Sequence, residues 1–335
     1  MNDRSDPQNQ DQLTQRADIW SRYWKHGARH SCAGSFGSGY EGAIGAWWKQ
    51  VFASLGANKR VLDLATGSGA VVRMGVEHCK HASVRFDGVD LGQTLPVWTL
   101  PGPPESGERV RFHGGVRIEA LPFGAGSFDL ITSQFGIEYA DLAQAAAEVR
   151  RVLRPGGSVR FVMHHASSVP VDLAEAELEL IAWLMAPAGL LQTAQQLTEP
   201  FARATTAQGR ASLAADKSAN LLRAQFNSLQ DESRRLATGS RCPDVLQEAS
   251  DAIAQAMRLA QTEGAEPATV AMQAYALQLQ DASFRLTELR RHALSAASLA
   301  AFGAHFGQDA FSVSTGELRD ETRLMGWWFK ADANR

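Results

Sequence analysis

The sequence predicts an α/β protein: a doubly wound, Rossmann-like sheet of seven mainly parallel strands ending in an antiparallel pair, with a large α-helical insertion after strand 5. Three observations predict it. Over residues 60–165 short apolar runs alternate with segments of helical period, the pattern of parallel strands joined by crossovers. Over residues 171–302 the text turns rich in Ala, Leu and Gln, with helical periodicity and few strand formers. Strand-like text returns at 310–313 and 326–330 (GWWFK), completing the same sheet and making the helical block an insertion inside one domain.

Residues 1–15 are polar and lack the basic, apolar, small-residue order of a secretion signal, so residues 1–18 are expected to be a disordered lead-in. Residues 19–58 hold Trp20, Tyr23, Trp24, Phe36, Tyr40, Trp47 and Trp48. This stretch is too polar for a core strand and too aromatic for a linker, and reads as a helix, a Gly-rich loop and a second helix forming a lid. The core, residues 59–168 with 303–335, opens with a strand at 60–65 (RVLDLA) and a helix over 69–79. Strands follow at 84–89, at 110–118 where Gly114 and Gly115 bend the run, and at 128–132. A helix over 141–153 is stopped by Arg154, Pro155, Gly156 and Gly157, and the fifth strand occupies 158–163. In the insertion, residues 169–302, breaks near Pro187, Pro200, Gly209, 239–243 and 264–267 imply five or six helices. These helices form a cap or a dimer surface, since a helix with one apolar stripe must bury it.

Composition excludes several classes. Thirty-three Lys and Arg against 36 Asp and Glu give a net charge of −3, without the basic excess of a phosphate-binding protein, so no nucleic-acid partner is expected. The longest apolar stretch, 181–191, contains Pro187 and falls short of the roughly 18 residues a membrane span needs. Cys32, Cys79 and Cys242 form no CxxC pair, which speaks against a zinc site or a disulfide framework and for a reducing, cytoplasmic setting.

The first strand runs into Asp63-Leu-Ala-Thr-Gly67-Ser-Gly69, and a helix follows at once. Glycines there let a ligand approach the backbone, and free amides at a helix start favour anionic or polar groups. The dinucleotide fingerprint GxGxxG lacks its third glycine, because Val72 stands in that position, so hydride transfer with NAD(P) is the weaker reading. The second strand ends in Gly88-Val89-Asp90. A carboxylate at that edge accepts hydrogen bonds from both hydroxyls of a ribose, or caps the next turn.

Together these segments resemble the class I S-adenosylmethionine-dependent methyltransferases, in particular the small-molecule branch of ubiquinone biosynthesis. VLDLATGSGA (61–70) resembles the family's first motif and FDGVDL (86–91) its ribose-binding strand end. EALPFGAGSFDLITSQFGIEY (119–139) and EVRRVLRPGGSVRFVMHH (148–165) resemble later motifs, and all four stand in family order. The resemblance is strong over 60–165, weak in the tail and nearly absent in the insertion. It implies S-adenosylmethionine as cofactor, S-adenosylhomocysteine as its product, and the following roles. Asp63 orients the amino-acid end of the cofactor, while Ala65, Thr66, Gly67 and Gly69 pass close to it, Ala65 replacing the usual first glycine. Asp90 holds the ribose and Leu91 packs on the adenine. The family often meets the adenine amino group with an acid where Arg117 stands here, so Glu119 or the backbone around Ile118 is left to substitute. Gln134 and Phe135 line the methionine end.

Methyl transfer from a sulfonium is an in-line displacement in which the protein aligns donor and acceptor and removes any acceptor proton. Glu138 and Tyr139 follow the fourth strand, and His164 and His165 the fifth, which makes these four the candidate catalytic residues; the histidines lead because they titrate near neutrality. Two adjacent histidines without a third ligand nearby do not argue for a metal. Tyr23, His30 and Phe36 of the aromatic leader are candidates for binding a small-molecule acceptor. The expected function is methylation of a small metabolite on oxygen or nitrogen. Alternatives are a protein methyltransferase and a non-catalytic cofactor-binding interaction protein, with homodimer formation through the insertion expected alongside. Nucleic-acid methylation is disfavoured because Ser133-Gln134-Phe135-Gly136 stands where an Asn/Asp-Pro-Pro-aromatic motif would be.

Overall fold

The computed structural model describes residues 7–25, 42–93, 96 and 109–334. Two helices, α1 (Pro7–Lys25) and α2 (Gly42–Ala53), precede the sheet. Then follow β1 (Arg60–Leu64), α3 (Ala70–His78), β2 (Arg85–Val89), β3 (Val110–His113), β4 (Phe128–Gln134), α4 (Leu142–Val152) and β5 (Leu153–Met163). Single 3-10 turns at Ile118–Ala120 and Ile137–Tyr139 flank β4. The chain closes with β6 (Phe311–Asp320) and β7 (Arg323–Ala333).

The seven strands lie in the order β3-β2-β1-β4-β5-β7-β6. The five leading strands are parallel, with Asp63 level with Gly88 and Thr132, and β7 runs antiparallel to both β5 and β6. Strand order therefore reverses beside β1, and the carboxyl ends of β1 and β4 flank the crevice where such sheets bind ligands. Val61, Leu62 and Leu64 are all buried, as a central strand covered on both faces requires. One face carries a ring cluster in which Phe161 stacks on Phe329 and Phe302 packs on Phe306. Trp48 and Phe52 of α2 stack, and Phe52 meets the ring of Phe86.

Of the disordered lead-in expected over residues 1–18, residues 1–6 lie outside the described residues, and residues 7–18 are instead helical, in α1. Tertiary contacts outweigh its polar composition: Ile19 is buried, Arg16 bonds across to Tyr139, and Ser21 Oγ accepts the Gln93 amide at 2.9 Å. The third strand stops at His113, five residues short of expectation, where Gly115 (φ +68°) turns the chain. The tail hairpin is longer than its apolar text, paired from Phe311 with Ala333 to Asp320 with Arg323.

Seven helices stand between β5 and β6, where five or six were expected: α5 (Val169–Leu184), α6 (Leu190–Arg203), α7 (Ala207–Ala215), α8 (Lys217–Gly239), α9 (Pro243–Thr262), α10 (Ala265–His292) and α11 (Ala296–Ala304). Pro200 does not break its helix but lies inside α6, and Gly209 lies in the first turn of α7, its amide capped by Thr206 Oγ1. The unforeseen boundary is Asp216, which follows the last residue of α7 and caps α8 by accepting from the amides of Ser218 and Ala219.

The chain divides into two compact units, Met1–Val171 with Glu288–Arg335, and Asp172–Thr287. The second has its own core, including Leu184, Leu197, Phe226, Leu246 and Ile253. Among the described residues no helix is long and apolar enough to cross a membrane.

Candidate active site

The turn after β1 has a backbone that few residues adopt: Ala65, Gly67 and Gly69 have φ of +51°, +52° and +74°. Gly67 has a second constraint, because a Cβ there would lie 2.5 Å from the Trp24 ring. The Thr66 amide donates to Val89 O at 2.9 Å, tying the turn to β2. Asp90 completes the tie by accepting from the amides of Gly67 and Gly92, each at 2.8 Å. The capping alternative for Asp90 is thus what the structure contains, but two amides do not exhaust a carboxylate, which offers about four lone-pair positions. Burial raises the Asp90 carboxyl above its ordinary range, against the pull of those two amides.

Asp63, buried at the end of β1, accepts from the hydroxyls of Thr66 and Thr132, each at 2.7 Å. Burial pushes its carboxyl up to about 7; the two hydroxyls oppose the shift and the neighbouring Asp90 adds to it. No cation pairs with Asp63 among the described residues, so a ligand bearing a positive group would be drawn there.

A cleft opens over these carboxylates, across the carboxyl ends of β1, β2 and β4. Of the residues expected to hold the cofactor, Asp63, Ala65, Thr66, Gly67, Asp90, Leu91, Arg117, Ile118, Glu119, Gln134 and Phe135 line it, as does Tyr139. Gly69 stands at the N-terminus of α3, closing the turn through its amide to Thr66 O at 2.8 Å. Arg117 is exposed, with its Nε 3.6 Å from Glu119, and Glu119 also accepts the Asp141 amide at 3.0 Å. Gln134 is nine-tenths buried; its Oε1 accepts from the indole Nε1 of Trp48, while its Nε2 has no partner among the described residues.

The leading proton-acceptor candidates are not at this cleft. His164 and Glu138 form a pair with wholly buried side chains, Glu138 Oε1 accepting both the His164 amide (2.7 Å) and its Nδ1 (2.8 Å). The Phe135 ring stacks on His164 at 4.3 Å. Beyond β5 the Leu294 amide donates to His164 O at 2.9 Å, and Leu294 bridges His165. His165 lies with its ring 4.1 Å from Trp327, its Nδ1 accepts the Ser167 amide, and burial lowers its pKa. Tyr23 packs edge-on against Trp20 and Trp24 and is not among the residues lining the cleft. His30 and Phe36 lie outside the described residues.

The cleft also contains residues that sequence reasoning missed: Leu13, Arg16, Trp20 and Trp24 of α1. Their spacing of three, four and four places them on one helical face, a signal present in the text but spread through a segment assigned to lead-in and lid. Arg16 donates to Tyr139 O at 2.8 Å and to Glu288 Oε2, with His292 Nε2 at 3.3 Å. Burial alone would raise the Glu288 carboxyl, but hydrogen bonds from His292 and Arg16 and the Arg16 charge outweigh it and bring it down to about 2.

The family described as "Methyltransferase domain" matches residues 61–157. A demethylmenaquinone methyltransferase of Thermus thermophilus is 39% identical over 102 residues, 30% of this chain and 45% of that protein. A malonyl-[acyl-carrier protein] O-methyltransferase of Pseudescherichia vulneris is 32% identical, over 33% of this chain and 41% of its own length. Among solved structures, the YcgJ protein of Bacillus subtilis is 30% identical, covering 42% of this chain and 58% of that one with a TM-score of 0.32. The chain spans less than half the length of the curated relatives it matches.

Proposed function

We propose, from the match of residues 61–157 to a methyltransferase domain, that the chain as a whole is an S-adenosylmethionine-dependent enzyme transferring a methyl group to a small-molecule metabolite; oxygen or nitrogen as the acceptor atom is part of the proposal and does not come from the relatives, one of which is named a C-methyltransferase. The observation that carries the reading is a set of groups in one cleft, each suited to a different part of that cofactor. The Asp63 carboxylate, flanked by two hydroxyls, suits an ammonium. The unpartnered Gln134 Nε2 suits a carboxylate. The spare lone pairs of Asp90 suit ribose hydroxyls, with Leu91 beside the adenine. A dinucleotide would need the close helix approach that a third glycine allows, and Val72 stands there.

S-adenosylmethionine, when bound, supplies an electrophilic methyl on a sulfonium. The chain's own residues bind, orient and exclude water: Trp20, Trp24 and Phe135 furnish apolar walls, and Arg16 ties α1 to the Tyr139 backbone. Of the four proton-acceptor candidates Tyr139 is the one lining the cleft, and we assign it to the acceptor side. A small-molecule acceptor is supported by relatives named a demethylmenaquinone methyltransferase and a ubiquinone biosynthesis O-methyltransferase. The test is incubation of purified protein with methyl-labelled cofactor and an extract of the source cells. Label is expected in the small-molecule fraction, and label confined to macromolecules would overturn the reading. Cytoplasmic residence and dimer formation through the helical block belong to the same proposal, checked by cell fractionation and analytical ultracentrifugation.

A further inference from the structure

Gln134 ends β4 and Trp48 belongs to α2, 86 positions earlier, yet the two side chains meet inside the first unit, with Trp48 wholly buried. An indole N–H can only donate. Whatever faces it must therefore be an acceptor, which fixes the carboxamide of Gln134 with Oε1 toward Trp48 and Nε2 turned away. That Nε2 is buried, lacks a partner among the described residues and belongs to a residue lining the cleft. A buried N–H2 without an acceptor is unfavourable, and a ligand acceptor at this spot would relieve that cost.

We infer that Trp48 is a positioning residue: by holding Gln134 Oε1 it presents Nε2 as a fixed donor for the carboxylate of the cofactor's amino-acid end. The inference rests on the cofactor reading proposed above. Trp48 touches no ligand in this arrangement; it acts through Gln134. Without the indole N–H the carboxamide is free to rotate, and half of its orientations offer an oxygen to a carboxylate. The role is specific to one end of the ligand, which separates it from the packing Trp48 also provides against Phe52.

The experiment uses calorimetry with two nucleosides on the full chain: S-adenosylhomocysteine, which has the amino-acid end, and 5′-methylthioadenosine, which lacks it. Trp48→Phe is expected to weaken S-adenosylhomocysteine about tenfold, the size of one hydrogen bond to a charged group, and to leave methylthioadenosine within about twofold. Gln134→Met should do the same, and the double variant should be no worse than Gln134→Met alone. Where Trp48→Phe costs the fold, 3-benzothienylalanine at position 48, with the ring outline but no N–H, is measured in its place. Equal losses for both nucleosides, or additive losses in the double variant, would overturn the inference while leaving the cofactor reading standing. A wild-type chain that binds neither nucleoside would overturn both.

Discussion

Ala65 occupies a left-handed conformation, φ +51°, that costs an L-residue about 1–2 kcal/mol. Ala65→Gly removes that strain at the expense of unfolded-chain entropy, and is expected to raise stability by about 0.5–1 kcal/mol, seen as a higher denaturation midpoint at unchanged slope. Asp90 has two duties, the glycine turn and the proposed ribose contact. Asp90→Ala should weaken S-adenosylhomocysteine at least tenfold, about 1.4 kcal/mol, by calorimetry; unchanged affinity would remove it from the site. Asp63 carries a pH signature. Its folded carboxyl, at about 7, lies above the unfolded value near 3.9, so the folded chain holds the extra proton between these pH values. Stability is therefore highest below about pH 4 from this group and falls as pH rises to about 7. Asp63→Asn should flatten that slope in urea titrations of the unliganded protein. Binding of a cofactor ammonium should expel the proton, appearing near pH 6 as a buffer-dependent binding enthalpy.

The glycine turn was legible at the level of elements, because Gly67 and Gly69 answer local backbone demands and because Asp63 and Asp90 stand at the ends of apolar runs. The helix α1 was not, since its polar text gives no sign of Glu288, the residue its Arg16 pairs with 272 positions later. Arg16→Ala leaves Glu288 with His292 as its charged partner among the described residues and is expected to cost about 2 kcal/mol, the order of a partly buried charged hydrogen bond. The depressed Glu288 carboxyl, at about 2, contributes stability above its unfolded value near 4.3 that is lost as pH falls toward 2. Acid unfolding of Arg16→Ala should accordingly begin at higher pH, followed by far-UV circular dichroism. The histidines after β5 stand at the edge where the text put them, but the Leu294 backbone they pair with was not legible.

In the whole molecule, every residue lining the cleft belongs to the first unit, while Phe226 belongs to the core of the second. Phe226→Ala is expected to lose about 3–5 kcal/mol of that core's stability, lowering a thermal transition in scanning calorimetry while S-adenosylhomocysteine affinity stays within about twofold. A parallel collapse of affinity would mean that the helical block contributes to the site. The sequence by itself determined the strands, their winding, the glycine turn and the two carboxylates, because periodicity and left-handed backbone are local properties written into neighbouring residues. Tertiary structure alone decided that Trp48 orients Gln134, that Arg16 crosses to Tyr139 and Glu288, and that His164 is sealed against Glu138. Contacts between distant positions are set by how elements pack, and spacing within one element can mark a face but does not name the partner it meets.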